Sequence, residues 1–190
     1  LSANVLYEND SPREVAALVA KIDADVVVLN EMVESQYEEL ERAGVLEKYP
    51  TQLFTQGDPF GELLLTRLPV QDTDIPLVGG YFVPQADVIV GDRLIRVFAV
   101  HSNAPKNNVE RHLWRRNLMG IAEMTEQRGD TPQLYAGDFN STLWHGPFRR
   151  MLKSGLTDTH DALGEGLHRS WTVDRPLARW FGPIIQIDHA

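Results

Sequence analysis

Five short runs of apolar, strand-forming residues each reach a polar side chain capable of chemistry, and this pattern constrains the fold more than any other feature. Ser2-Ala3-Asn4-Val5 carries an amide, and Val26-Val27-Val28-Leu29-Asn30-Glu31 ends in a carboxylate. Val97-Phe98-Ala99-Val100-His101 ends in an imidazole, Gln133-Leu134-Tyr135-Ala136 leads through Gly137 to Asp138, and Ile184-Ile185-Gln186-Ile187 leads to Asp188-His189. Polar strand ends gathered at one edge of a sheet make a site on a rigid scaffold. Between the first two runs, Ser11-Pro12-Arg13-Glu14 reads as a capping box with proline at the first helical position. Val15, Leu18, Val19 and Ile22 then supply one apolar helix face. A second, more polar helix is predicted from Glu34 to Ala43, closed by Gly44. Strand, helix, strand, helix is the opening of an α/β layer architecture.

The middle of the chain changes character. Leu63-Leu64-Leu65-Thr66 is a short apolar strand before a turn, and residues 81–101 read as a hairpin around Gly91-Asp92. Hairpins beside buried, parallel-type strands predict mixed sheets. A long helix is expected from about Asn108 to Gln127, with Leu113, Leu118, Ile121 and Ala122 inward, and a short one from Pro147 to Lys153.

The most specific stretch is Gly137-Asp138-Phe139-Asn140. If the strand stays extended, Asp138 and Asn140 project to one side and Phe139 to the other. A carboxylate beside a neutral amide suits phosphate hydrolysis: the acid polarises water or holds a cation, and the amide binds a phosphate oxygen without repelling it. The same residues also suit an Asx-type turn, the commoner use of Gly-Asp-x-Asn.

The order Asn4, Glu31, His101, Gly137-Asp138-Phe139-Asn140 and Ile187-Asp188 resembles the endonuclease/exonuclease/phosphatase superfamily over essentially the whole chain. Ser102-Asn103-Ala104-Pro105 after His101 is similar to its deoxyribonuclease branch, and the overall spacing to bacterial membrane-anchored members. The resemblance implies a four-layer α/β sandwich, with two mixed sheets face to face and helices outside. It implies divalent-metal-dependent hydrolysis of a phosphoester, above all a phosphodiester as in a nuclease. The alternatives are a phosphomonoesterase, a lipid phosphodiesterase, or a non-catalytic member that binds a phosphorylated ligand. It assigns Glu31 to the metal with Asn4 beside it, Asn4 and Asn140 to phosphate, and Asp138 to water. His101 falls to the scissile phosphate, Glu62 to a carboxylate partner for that imidazole, and Trp171, within Arg169-Ser170-Trp171-Thr172, to the substrate cleft.

Asp188-His189 looks like the family's closing Asp-His pair, but it follows the Ser170-Trp171-Thr172 segment directly. An earlier family motif stands there, whose aspartate orients the catalytic histidine. On that reading Asp188 is the orienter and His189 points away by strand alternation. The chain is then one domain over 1–190 without its C-terminal strands and the extreme start of its first strand, and nearly inactive as it stands.

Composition narrows the partners. With no cysteine, any metal falls to Asp, Glu, His or Asn, which favours Mg²⁺, Mn²⁺ or Ca²⁺. A net charge of −9 weighs against a tight nonspecific grip on nucleic acid, whose affinity comes from phosphate neutralisation. No apolar run approaches the ~20 residues of a membrane helix, so any tether, and an extracytoplasmic location, follows from the resemblance alone. The protein is expected to work as a monomer on its phosphoester. Arg111, His112, Arg115 and Arg116, and likewise Arg149, Arg150 and Lys153, read as solvated helix faces that could touch phosphate. Trp144, Trp171 and Trp180 sit in loop segments, where an aromatic ring can stack on a base or cover a lipid.

Overall fold

The computed structural model describes residues 1–56, 61–127, 129–164, 170 and 185–190. They form two compact units. The first comprises Leu1–Leu77, Phe82–His101 and Asp130–Gly137; the second comprises Val78–Tyr81, Ser102–Gly129 and Asp138–Ala190.

Two mixed sheets make the first unit. One has strand order β1-β2-β4-β3, from β1 (Ser2–Asn4), β2 (Val26–Asn30), β3 (Thr51–Thr55) and β4 (Glu62–Thr66). β1 runs parallel to β2, and β4 runs antiparallel to both β2 and β3. The other contains β5 (Val70–Asp74), β8 (Gln85–Val90), β9 (Arg93–His101) and β10 (Gln133–Asp138) in the order β5-β8-β9-β10. β5, β8 and β9 are antiparallel neighbours, with the turn at Gly91-Asp92 setting Val90 opposite Arg93. β10 follows β9, with the Arg96 N–H donating to the Pro132 carbonyl. β2 and β4 of the first sheet pack on β9 of the second.

Alternation explains the layers. Val27, Leu29, Leu63 and Leu65 join Val15, Ala16, Val19 and Leu40 in one apolar cluster, so α1 (Pro12–Ile22) and α2 (Glu34–Arg42) cover one face of the first sheet. Val28 and Leu64 point the other way and are equally buried. Continuous apolar strands are thus dry on both faces, and each fully buried Leu or Val contributes roughly 1.5–3 kcal/mol. Pro12 does start α1, but no side-chain cap forms at Ser11; the Asn9 side chain instead accepts the Ser11 N–H. The buried stripe of α1 is Val15, Ala16 and Val19, whereas Leu18 and Ile22 are exposed.

The second unit is mainly helical. α3 (Asn108–Glu126) is capped by Asn107, whose Oδ1 accepts from Val109 and Glu110 N–H. Its inward stripe is Trp114, Asn117, Leu118, Ile121, Ala122 and Thr125, with Leu113 only half-buried. α4 (Gly146–Leu152) packs against α3 through Phe148 and Met151. α5 (Thr159–Leu163) is capped by Asp158. The short strands β6 (Leu77–Val78) and β7 (Tyr81–Phe82) bracket Gly79-Gly80. A Cβ on Gly79, at φ +59°, would lie 2.4 Å from the Asn117 Cα. β11 is only Asp188–His189. Gln186 and Ile187 before it are not strand, and the Ser170 hydroxyl accepts the Ile187 and Asp188 N–H groups. Among the described residues no helix is long and apolar enough to cross a membrane.

Candidate active site

In the first unit, strand register gathers five polar side chains. Asn4 lies opposite Asn30, and Asn30 opposite Glu62, so the ends of β1 and β2 and the start of β4 share one edge. Glu31 leaves the strand at φ +58°, a left-handed conformation costing a non-glycine residue about 1–2 kcal/mol. That turn brings its Oε1 to 2.8 Å from the Asn4 amide nitrogen, which donates to it. The Tyr7 N–H reaches Glu31 Oε2 at 3.4 Å.

His101 ends β9 with its Nε2 3.7 Å from Glu31 Oε1 and its Nδ1 3.0 Å from Glu62 Oε1. Glu62 is only 3% exposed. Its second oxygen accepts from the Asn30 amide, which also donates to the Val100 carbonyl at 3.1 Å. Burial pushes the Glu62 carboxyl up, while the hydrogen bond and charge of His101 and the bond from Asn30 pull against it. One imidazole nitrogen is thereby fixed on a buried carboxylate, and the other is turned toward the half-buried one. Gly137 completes this edge. A Cβ there, at φ +139°, would meet the Val100 carbonyl oxygen at 2.0 Å and the Asn30 side chain at 2.9 Å. Only glycine lets β10 pass so close to β9.

In the second unit the chain turns sharply instead of staying extended. Asn140 sits at φ +46°, and its N–H donates to Asp138 Oδ1 at 2.7 Å, so Asp138-Phe139-Asn140 is an Asx turn. Asparagine tolerates this conformation because its short amide bonds locally. The expected alternation of Asp138 and Asn140 on one face of a strand therefore does not hold. The Asn140 amide nitrogen donates to the Ser102 carbonyl at 2.8 Å, and the Ser102 N–H donates to the Asp138 carbonyl at 2.9 Å. Phe139 is buried, its carbonyl accepting from Trp114 Nε1 at 3.1 Å and from Ser141 Oγ at 2.9 Å. Asn117, fully buried on α3, accepts from the Ser102 hydroxyl at 2.6 Å and donates to the Val78 carbonyl at 2.9 Å.

Of the residues singled out in the sequence, the structure joins Asn4 to Glu31, His101 to Glu62, and Asp138 to Asn140. Asp188 is half-buried in β11. His189 is buried, with Nδ1 2.6 Å from Asp158 Oδ2 and Nε2 2.8 Å from the Ser141 carbonyl. Trp144 is 69% exposed. Trp171, Trp180, Arg169 and Thr172 lie outside the described residues. Sequence reasoning passed over Asn30, Asn117, Ser141 and Asp158. Asn30 and Asn117 carried a usable signal, an amide closing the apolar run Val26–Leu29 and an amide on the helix stripe of Trp114, Leu118 and Ile121; Asp158 carried none.

Comparison with known proteins identifies the fold and the family. No curated protein matches the chain. Among solved structures, a 3'-5' exonuclease (NExo) from Neisseria meningitidis is similar with a TM-score of 0.76 at 17% identity, over 99% of this chain and 84% of that one. Humanized D. rerio TDP2 gives 0.75 at 15%, over 99% and 79%. A hairpin-deletion mutant of Staphylococcus aureus beta toxin gives 0.69 at 14%, over 98% and 83%. At such identities the likeness is one of fold alone. The sequence itself matches the family over residues 1–190, and the chain belongs to the Endonuclease/Exonuclease/phosphatase family.

Proposed function

We propose that this protein is a divalent-metal-dependent phosphodiesterase, and the observation that carries the reading is the hydrogen-bonded set Asn4–Glu31 and His101–Glu62 at one strand edge of a family member. Glu31 would hold the cation with Asn4 beside it. The donor set fits a hard cation: Glu31 offers carboxylate oxygen with the Asn4 amide bonded to it, and the chain has no cysteine. When bound, a Mg²⁺-class ion neutralises phosphate charge and the charge developing on the leaving oxygen.

The chain's own groups do the rest. Glu62 holds the imidazole by Nδ1, so Nε2 is the nitrogen that donates to a nonbridging phosphate oxygen. Asp138 orients the attacking water and takes up its proton, and its carboxylate is itself aimed by the Asn140 N–H. Asn140 places phosphate, Asp188 is the carboxylate that would orient a catalytic histidine, and Trp171 contacts the substrate. The family match over the whole length supports reading residues 1–190 as one domain.

The substrate is a phosphodiester of nucleic acid on this reading. Related folds include NExo bound to a product DNA hairpin and D. rerio TDP2 complexed with a single-strand DNA product. A lipid phosphodiester is the second reading, favoured by the net charge of −9 and by the likeness to sphingomyelinase C from Streptomyces griseocarneus, with a TM-score of 0.61. The deciding experiment compares turnover of plasmid DNA, abasic DNA, sphingomyelin and inositol phosphates by the natural full-length protein, with Mg²⁺ and with EDTA. Turnover of DNA that EDTA abolishes is expected. Cleavage of sphingomyelin alone would move the assignment to lipid, and no metal-dependent turnover of any of them would sink it.

A further inference from the structure

Three segments far apart in sequence are fastened together in the second unit. The Phe139 N–H donates to the Ile187 carbonyl at 3.0 Å, and the Thr159 N–H to the Ala190 carbonyl at 2.9 Å. The His189 ring makes the remaining link, from Asp158 Oδ2 at 2.6 Å to the Ser141 carbonyl at 2.8 Å. Proton counting fixes the arrangement. A carbonyl brings no hydrogen, so Nε2 must carry one, and a second lies between Nδ1 and the carboxylate. The other Asp158 oxygen accepts the Asp161 N–H at 3.0 Å, which anchors the carboxylate to the first turn of α5. The Gln186 amide nitrogen stands 3.2 Å from Nδ1. Phe148 and Phe139 pack on the ring, with centroids 4.4 Å and 5.9 Å away.

A ring wanted only for packing between two phenylalanines would be phenylalanine. Burying an imidazole and a carboxylate is costly, and apolar residues of the same volume are often as stable or more so. What the polar pair adds is direction: it fixes Ser141 and β11 relative to each other. Ser141 ends the turn that carries Asp138 and Asn140, and Asp188 lies on the opposite face of β11 from His189. We propose that His189 is a positioning residue: tied to Asp158, it holds the Asp138–Ser141 turn and the Asp188 strand in the geometry the hydrolysis uses. This rests on the phosphodiesterase reading above.

The test uses His189→Phe, which keeps the ring and removes both hydrogen bonds, the isosteric Asp158→Asn, and His189→Gln, which restores a donor. In the natural full-length protein, with bis-p-nitrophenyl phosphate and Mg²⁺, His189→Phe should lower kcat about 10- to 100-fold while KM moves less than about threefold, because small misplacement is felt mainly in the transition state. Asp158→Asn should lose less, and His189→Gln should recover part of the loss. Calorimetry with Mg²⁺ alone should show unchanged affinity, since Glu31 is untouched. Amide hydrogen exchange at residues 139–141 should accelerate in His189→Phe and Asp158→Asn. Folded variants with kcat within about twofold of wild type and unchanged exchange would overturn the proposal. Should His189→Phe fail to fold, the same two measurements on Asp158→Asn decide the question. If the wild type turns over no phosphoester, the functional reading fails instead, and the exchange measurement alone still decides whether the pair holds the turn.

Discussion

Two buried histidines in this protein are each held through Nδ1 by a buried carboxylate, and different roles are proposed for them. His101 meets Glu62 at 3.0 Å and His189 meets Asp158 at 2.6 Å. Both pairs are almost wholly dry. The second nitrogen separates them. In His101 it faces Glu31, a half-buried carboxylate at a strained strand end, 3.7 Å away. In His189 it is spent on a backbone carbonyl. The roles proposed for the two rings follow the group that the other nitrogen meets, a carboxylate for His101 and a backbone carbonyl for His189.

The sharpest way to break this contrast is to remove each working group and compare losses. His101→Gln should lower kcat about 10²- to 10⁴-fold, the range for a positioned proton donor. Asp138→Asn should act like it, with kcat falling far more than KM rises, because orienting water matters in the transition state. Steady-state kinetics on bis-p-nitrophenyl phosphate measure both. A loss in His101→Gln no larger than that of His189→Phe would erase the distinction.

A smaller effect is expected at the carboxylate that His101 faces. Removing a group that merely supports a metal ligand costs about 10–100-fold in affinity. Glu31→Gln removes the ligand charge itself and should weaken Mg²⁺ binding by at least about that factor, with far-UV circular dichroism unchanged. Equal affinity by calorimetry would take Glu31, and the nitrogen turned toward it, out of the site.

The strand framework of this site was legible because buried strands advertise themselves. Val26–Leu29, Leu63–Leu65 and Val97–Val100 are continuous apolar runs, and a polar residue closing such a run has to be satisfied somewhere. That reasoning reached Asn4, Glu31, His101 and Asp138. It failed where a side chain satisfies backbone locally. Asn9 displaced Ser11 at the start of α1, and the Asp138 carboxylate captured the Asn140 N–H and bent the strand. The Ser170 hydroxyl likewise accepts the Ile187 and Asp188 N–H groups. It failed again for partners distant in sequence: nothing around Asp158 marks it as the mate of His189, and Asn117 sits in a helix stripe otherwise apolar at Trp114, Leu118 and Ile121.

Glu62 offers the finest probe of the pair in the first unit, because its carboxyl is displaced upward and the main cause is burial. A carboxyl whose pKa is raised on folding contributes its full stability below its unfolded value, and that contribution is lost as pH rises through the folded value. Wild-type protein in EDTA should therefore lose stability, relative to Glu62→Gln, as pH climbs from the ordinary glutamate value of 4.5 into the neutral range. Gln keeps the shape and a bond to the imidazole or to Asn30, so at the acid end the two should differ by only about 1 kcal/mol. The gap should then close or reverse with rising pH, read as thermal midpoints across a pH series. A gap that widens instead would mean the charge on His101 outweighs the burial of Glu62. The first-unit pair would then be a fully ionised bridge, with Nδ1 holding its proton permanently and Glu62 unable to share it.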